Sequence, residues 1–177
     1  MARLGSPSWL SLGGISLDYD NTSTGVFNFS PLSFLQISYT VVGYSGDDAL
    51  CIRFNGDSSS IYSYHCMTLD LSTSYIGGLS YSEVSASAGS YIRVCALTGT
   101  AQQTGTIYLS CMPEVGSNLM TTINTTYVGS SGQRLAEIAG AGNYSSYDQI
   151  SSIELFTLNG YNLLAGSAVS VFGSQIG

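Results

Sequence analysis

The apolar positions of this chain fall at alternate residues over short stretches, which is the period of an extended strand that buries one face. The pattern is clearest between Ala49 and Cys66. Leu50, Ile52 and Phe54 alternate with Cys51 and Arg53, Asn55-Gly56-Asp57 follows, and Ile61, Tyr62, Tyr64 and Cys66 take the alternation up again. Asn and Gly tolerate the positive φ of a tight reversal, so the spacing predicts a strand, a turn and a returning strand.

Similar patterns predict strands over residues 15–17, 26–29, 34–42, 67–71, 91–97, 106–112, 120–128, 150–158 and 168–172. Residues 135–142 hold good helix formers, but the length of the segment and its glycines favour a strand or bulged strand. Asn159-Gly160 is a second hairpin signal. Residues 72–88, rich in Ser and Gly, are the least regular part, with Ile76, Leu79, Tyr81 and Val84 as anchors. About ten short strands with turn signals every 8 to 12 residues predict an all-β fold, an antiparallel β-sandwich or barrel. No internal repeat is visible, which disfavours a propeller or solenoid.

Composition sharpens this picture. The 177 residues can bury roughly 70% of the unfolded surface in one core without staples, and one domain is expected over residues 15–177. Residues 1–14 lack sustained periodicity yet carry Trp9, Leu10 and Leu12, which predicts an extended N-terminal arm. Such an arm either folds back on its own domain or docks on a neighbouring subunit. Only 8% of residues are charged, against about 25% in an average soluble domain. With net charge −7 and four Lys+Arg, no basic patch for nucleic acid or an anionic membrane is expected.

No apolar run approaches the roughly 20 residues of a membrane span, and the start lacks the apolar segment of a secretory signal. Synthesis in the cytoplasm is expected. Cys51, Cys66, Cys95 and Cys111 sit in apolar alternating runs with no C-x-x-C pair. They read as buried thiols, with disulfides as the competing possibility.

Reactive chemistry is sparse. Asp18-Tyr19-Asp20-Asn21 gathers oxygen ligands, but the offsets of a calcium loop are missing and Asx-turns explain the same residues, so no metal is assigned. His65 is the one imidazole, and no G-x-S-x-G elbow accompanies it. The acidic residues are scattered. Asp47-Asp48 and Asp57 bracket one strand at a separation of roughly 30 Å, too far for a catalytic pair. No catalytic residue and no cofactor are assigned. Among thirteen tyrosines, Tyr62 and Tyr64 share one strand face and suit either sugar stacking or subunit packing.

Two segments carry a resemblance: IRFNGD with the following YSY, residues 52–64, and ISSIELFTLNGYNLLAGSAVSVFG, residues 150–173. They resemble tailed-bacteriophage virion proteins in which a strand ending in such a motif precedes a tyrosine-bearing strand. In those proteins a closing segment runs through a glycine-serine pair, here Gly166-Ser167, into an apolar strand ending in glycine, here Gly173; Phe172 departs mildly from the usual closing aromatic. The resemblance implies a jelly-roll-like sandwich on the outer capsid surface of a phage, as a non-enzymatic decoration (cement) protein. It implies as partners the major capsid protein and further copies of the chain, arranged as a homotrimer. The alternative is a tail- or fibre-associated module that recognises host glycans through Tyr62 and Tyr64.

Overall fold

The computed structural model describes residues 9–43, 45–46, 48–70, 80–97, 102–111, 119–128 and 135–174. Among these residues twelve strands form: β1 (Leu10–Ser16), β2 (Ser23–Asn28), β3 (Phe34–Val41), β4 (Asp48–Phe54), β5 (Tyr62–Asp70), β6 (Ser80–Gly89), β7 (Ile92–Leu97), β8 (Gln103–Ser110), β9 (Leu119–Val128), β10 (Leu135–Tyr144), β11 (Ser152–Thr157) and β12 (Ala168–Ser174). They form an eight-stranded sheet, β1-β12-β3-β8-β9-β10-β5-β6, and a four-stranded sheet, β2-β11-β4-β7. All pairings are antiparallel.

The interleaving of β1-β12-β3-β8 over β2-β11-β4-β7 is that of a jelly roll, two Greek keys folded into a sandwich. Two excursions complete it. β5-β6 leaves between β4 and β7, β9-β10 leaves between β8 and β11, and both add to the large sheet beyond β8. The large sheet therefore extends past the small one, and β5, β9 and β10 pack over β7.

The core follows from the alternation. Leu35, Ile37, Tyr39 and Val41 of β3 face Leu50, Ile52 and Phe54 of β4, with Ile107, Ile153, Leu155, Val169 and Val171 filling the layer. Cys51, Cys66 and Cys111 are buried, as expected. The side chain of Cys95 lies outside the described residues.

Two predicted turns occur but do not join paired strands. Asn55 and Gly56 take φ of 52° and 65°, and the Asp57 amide donates to the Phe54 carbonyl at 2.9 Å, a type I′ reversal. Nevertheless β4 and β5 do not pair: β4 lies between β11 and β7, and β5 between β10 and β6. The intervening residues carry the chain to the other sheet, and burial of Tyr62 between the sheets fixes that crossing. Gly160, with φ of 83°, likewise turns a chain whose flanking strands β11 and β12 belong to different sheets.

Two expectations change at the edges. β6 runs through the segment expected to be irregular, because its backbone completes a ladder with β5 that small residues do not advertise. The arm expected over residues 1–14 is an edge strand from Leu10 onward, paired with β12 through Leu10↔Gly173 to Ser16↔Ala168. Residues 1–8 of that arm lie outside the described residues.

Candidate functional site

Tyr62 and Tyr64 do not form a platform. Tyr62 is fully buried, its ring stacked on Tyr144 at 4.9 Å, so no sugar can reach it. Its hydroxyl accepts the Phe54 amide at 3.1 Å and lies 3.1 Å and 3.0 Å from the Phe54 and Asp57 carbonyls, which share its proton. Burial raises its pKa above the ordinary tyrosine range. Tyr64 is half-buried and packs its ring on Tyr91 at 6.2 Å. Burial raises its pKa as well.

The residues that carried the resemblance turn out to join one another. Asn55 Oδ1 accepts the amides of Ser151 at 2.8 Å and Ser152 at 3.2 Å, while Asn55 Nδ2 donates to the Gln149 carbonyl at 2.9 Å. The Asp57 carboxylate accepts the Ser59 hydroxyl at 2.6 Å and the Ser59 amide at 2.8 Å, and these bonds hold its pKa below the usual carboxylate range. Ser167 is buried and its hydroxyl accepts the Val42 amide at 3.1 Å, next to Gly166 at φ 89°. These motifs are joints of the fold.

Asp48 organises the end of β4 opposite Asn55. Its buried carboxylate accepts the Ala49 amide at 2.7 Å, the Asn159 amide at 2.9 Å, the Asn159 side-chain amide at 3.0 Å and the Tyr161 amide at 3.3 Å. Asp20, one of the considered oxygen ligands, accepts the Ala165 amide at 2.9 Å instead, and Asn21 accepts the Thr22 amide at 2.8 Å. Among the described residues no cluster of His, Cys, Asp or Glu is arranged to hold a metal.

His65 is exposed on the outward face of β5, in register with Ala141 and Ser85. It borders a shallow depression of about 390 Å³ lined also by Ser63, Ser87 and Asn143. Among the described residues no acidic side chain lines that depression to orient the imidazole as a triad would.

Two surfaces stand apart from the rest. The first is the outward face of the large sheet. None of the five adjacent strands β1, β12, β3, β8 and β9 contains an Asp, Glu, Lys, Arg or His. Its central rows run Phe172–Gln36–Tyr108 and Ser170–Ser38–Thr106, across a width of roughly 20 Å at the usual strand spacing. At its edge Trp9 is 45% exposed, whereas Leu10, 57% exposed, is in register with Gly173 and Leu35 on the core side, and Leu12 packs against the core.

The second is the outward face of the small sheet. Glu154 and Phe156 of β11, Arg53 of β4 and Arg93 of β7 share it, a set assembled by strand pairing from distant parts of the chain, and Tyr91, just before β7, packs its ring against Phe156. Arg53 lies 4.5 Å over the Phe156 ring and 3.6 Å from the Glu154 carboxylate, which also accepts the Ser23 hydroxyl at 2.6 Å.

No protein-family model and no curated protein matches the chain. Among solved structures it is similar to SCP-B, an eqolisin-family peptidase in complex with the tripeptide Ala-Ile-His, at 10% identity and TM-score 0.25 over 92% of this chain and 86% of that one. An alginate lyase, Aly36B, gives 8% identity and TM-score 0.26 over 93% and 80%. Scytalido-glutamic peptidase with a transition-state analogue gives 11% and TM-score 0.24 over 86% and 73%. Overlaps this loose carry no argument about what this chain does.

Proposed function

We propose that the protein is a structural component of a tailed-phage virion, a decoration protein that binds the outer capsid surface and stabilises the shell. The observation that carries this reading is the uncharged outward face of five adjacent strands. Water-facing sheet surfaces ordinarily carry charge that keeps copies apart, whereas the cores of protein interfaces are depleted of it and enriched in aromatic side chains. Phe172 and Tyr108 on that face, and Trp9 at its edge, match the second description.

The jelly roll itself recurs in capsid proteins, lectins and cupins, so it is compatible with this role without selecting it. Many modest contacts around a shell hold each subunit through its neighbours, and a trimer multiplies them. Mixing the purified protein with undecorated heads tests the proposal. Saturable binding at a fixed ratio, with greater resistance of the heads to heat, is the expected result. Heads that take up no protein would refute it.

A further inference from the structure

We propose that the loop end of the sandwich around Asp48 binds a neutral saccharide, with the open face of the Tyr161 ring as its stacking platform. This inference does not rest on the decoration role.

The ring is placed by what it lies on. A Cβ built on Gly46 would stand 2.5 Å from Cε1 of Tyr161, 2.7 Å from Cδ1 and 3.0 Å from Cζ. Three adjacent ring carbons at similar distances put Gly46 against the face of the ring, not its edge. Only the missing side chain makes room for this contact. Among the described residues no aromatic ring and no guanidinium packs on Tyr161, and the residue is 44% exposed, so its other face is turned to solvent. Its backbone is fixed as well. The Tyr161 amide donates to the buried Asp48 carboxylate at 3.3 Å, as the Asn159 amide does at 2.9 Å. The Asn162 amide donates to the Ser45 hydroxyl at 2.9 Å, and the Ser45 amide to the Asn162 carbonyl at 3.0 Å. A ligand therefore finds the platform already ordered, which removes one cost of binding.

Neutral polar groups flank that ring. The Asn159 side chain gives one hydrogen to Asp48 at 3.0 Å, which leaves its carbonyl oxygen and its second hydrogen for a ligand. The Ser45 hydroxyl accepts from Asn162 and keeps its own proton to donate. A fixed aromatic face beside such groups suits a pyranose, which is apolar on its ring face and hydroxylated at its rim. Charge narrows the class. Residues 42–48 and 157–167 contain no Lys, Arg or His, and the one charge bonded to the platform is the Asp48 carboxylate. A sugar bearing a carboxylate or sulfate would meet that charge with no cation to offset the repulsion.

The test uses the full chain, isotopically labelled and titrated with oligosaccharides of glucose, mannose, galactose and N-acetylglucosamine, with oligogalacturonate as the acidic arm. At least one neutral oligosaccharide binds saturably and moves the amide signals of Gly46, Tyr161 and Asn162, and oligogalacturonate binds about tenfold more weakly or not at all. Tyr161→Ala weakens the neutral ligand about tenfold, whereas Tyr161→Phe, which keeps the ring, binds like the native chain. Gly46 acts as a positioning residue. Its φ is not positive, so the backbone accepts alanine there, and Gly46→Ala displaces the exposed ring. That variant keeps the native urea midpoint and loses affinity. Binding of no neutral oligosaccharide, equal or tighter binding of oligogalacturonate, or an affinity unchanged in Tyr161→Ala or Gly46→Ala overturns the proposal. So does loss of shell attachment in Tyr161→Ala, which would make this end a protein contact.

Discussion

The hydroxyl of Tyr62 takes the place that a neighbouring strand would occupy beside Phe54. It accepts that residue's amide at 3.1 Å and stands 3.1 Å from its carbonyl, although the two residues belong to different sheets. Removing the hydroxyl strands a buried amide. Tyr62→Phe is therefore expected to cost about 1–3 kcal/mol, read from the urea midpoint, whereas Tyr64→Phe should stay within about 0.5 kcal/mol.

The turn that follows separates strain from bonding. A Cβ at Gly56 meets nothing within 4 Å, so Gly56→Ala pays only for its φ of 65°, about 1 kcal/mol. Asn55→Ala loses the bonds to Ser151, Ser152 and Gln149 as well. A loss of about 2–4 kcal/mol is expected there. Equal losses in the two variants would contradict the role given to the Asn55 side chain.

Stability should respond to pH at both ends. The depressed pKa of Asp57 stabilises the fold above the ordinary value of 3.8 and ceases to do so as pH falls through its folded value. The gap in urea midpoint between the native chain and Asp57→Asn should close below about pH 4.

At the alkaline end burial pushes Cys66 up to about 11 and Cys111 up to about 12 from 9.0, and Tyr62 above its ordinary 10.0. Each group stabilises the fold below its unfolded pKa, and the contribution is lost as pH rises through the folded one. The midpoint should fall above about pH 9, and less steeply in Cys111→Ala. Cys51, Cys66 and Cys111 should also resist thiol reagents at pH 8 until urea is added, since burial disfavours the reactive thiolate.

Much of this architecture is legible in the order of residues. Alternation marks which side chains enter the core, as in β3 and β4, and Asn55-Gly56 marks a left-handed turn because few other residues accept one. Pairing partners are not legible, because alternation assigns a face without assigning a neighbour. Tyr62 shows the limit: its shared parity with Tyr64 was visible, but that face points between the sheets and buries the ring. β6 carries only Tyr81 and Val84 as apolar anchors among Ser, Ala and Gly, so its backbone ladder with β5 shows no alternating pattern in the sequence. Arg93, Arg53 and Phe156 come from three separated strands, and only the strand register brings them to one surface.

The uncharged face makes its own prediction. Thr106 sits in its central row with Ser38 and Ser170. A charge there should leave the urea midpoint within about 0.5 kcal/mol yet weaken attachment to undecorated heads at least tenfold, because an interface would have to bury it unpaired. Thr106→Glu and Ser38→Lys test this with opposite signs. Attachment that one charge weakens and the other strengthens would point to a charged partner instead.

Imaging the intact particle at a resolution that separates strands is the most direct test. The protein should lie on the outer capsid surface with Ser38, Thr106 and Tyr108 buried against the shell or a neighbouring copy, and with Arg93 facing solvent. A particle that lacks the protein, or holds it with those three residues in open solvent, would contradict the decoration role.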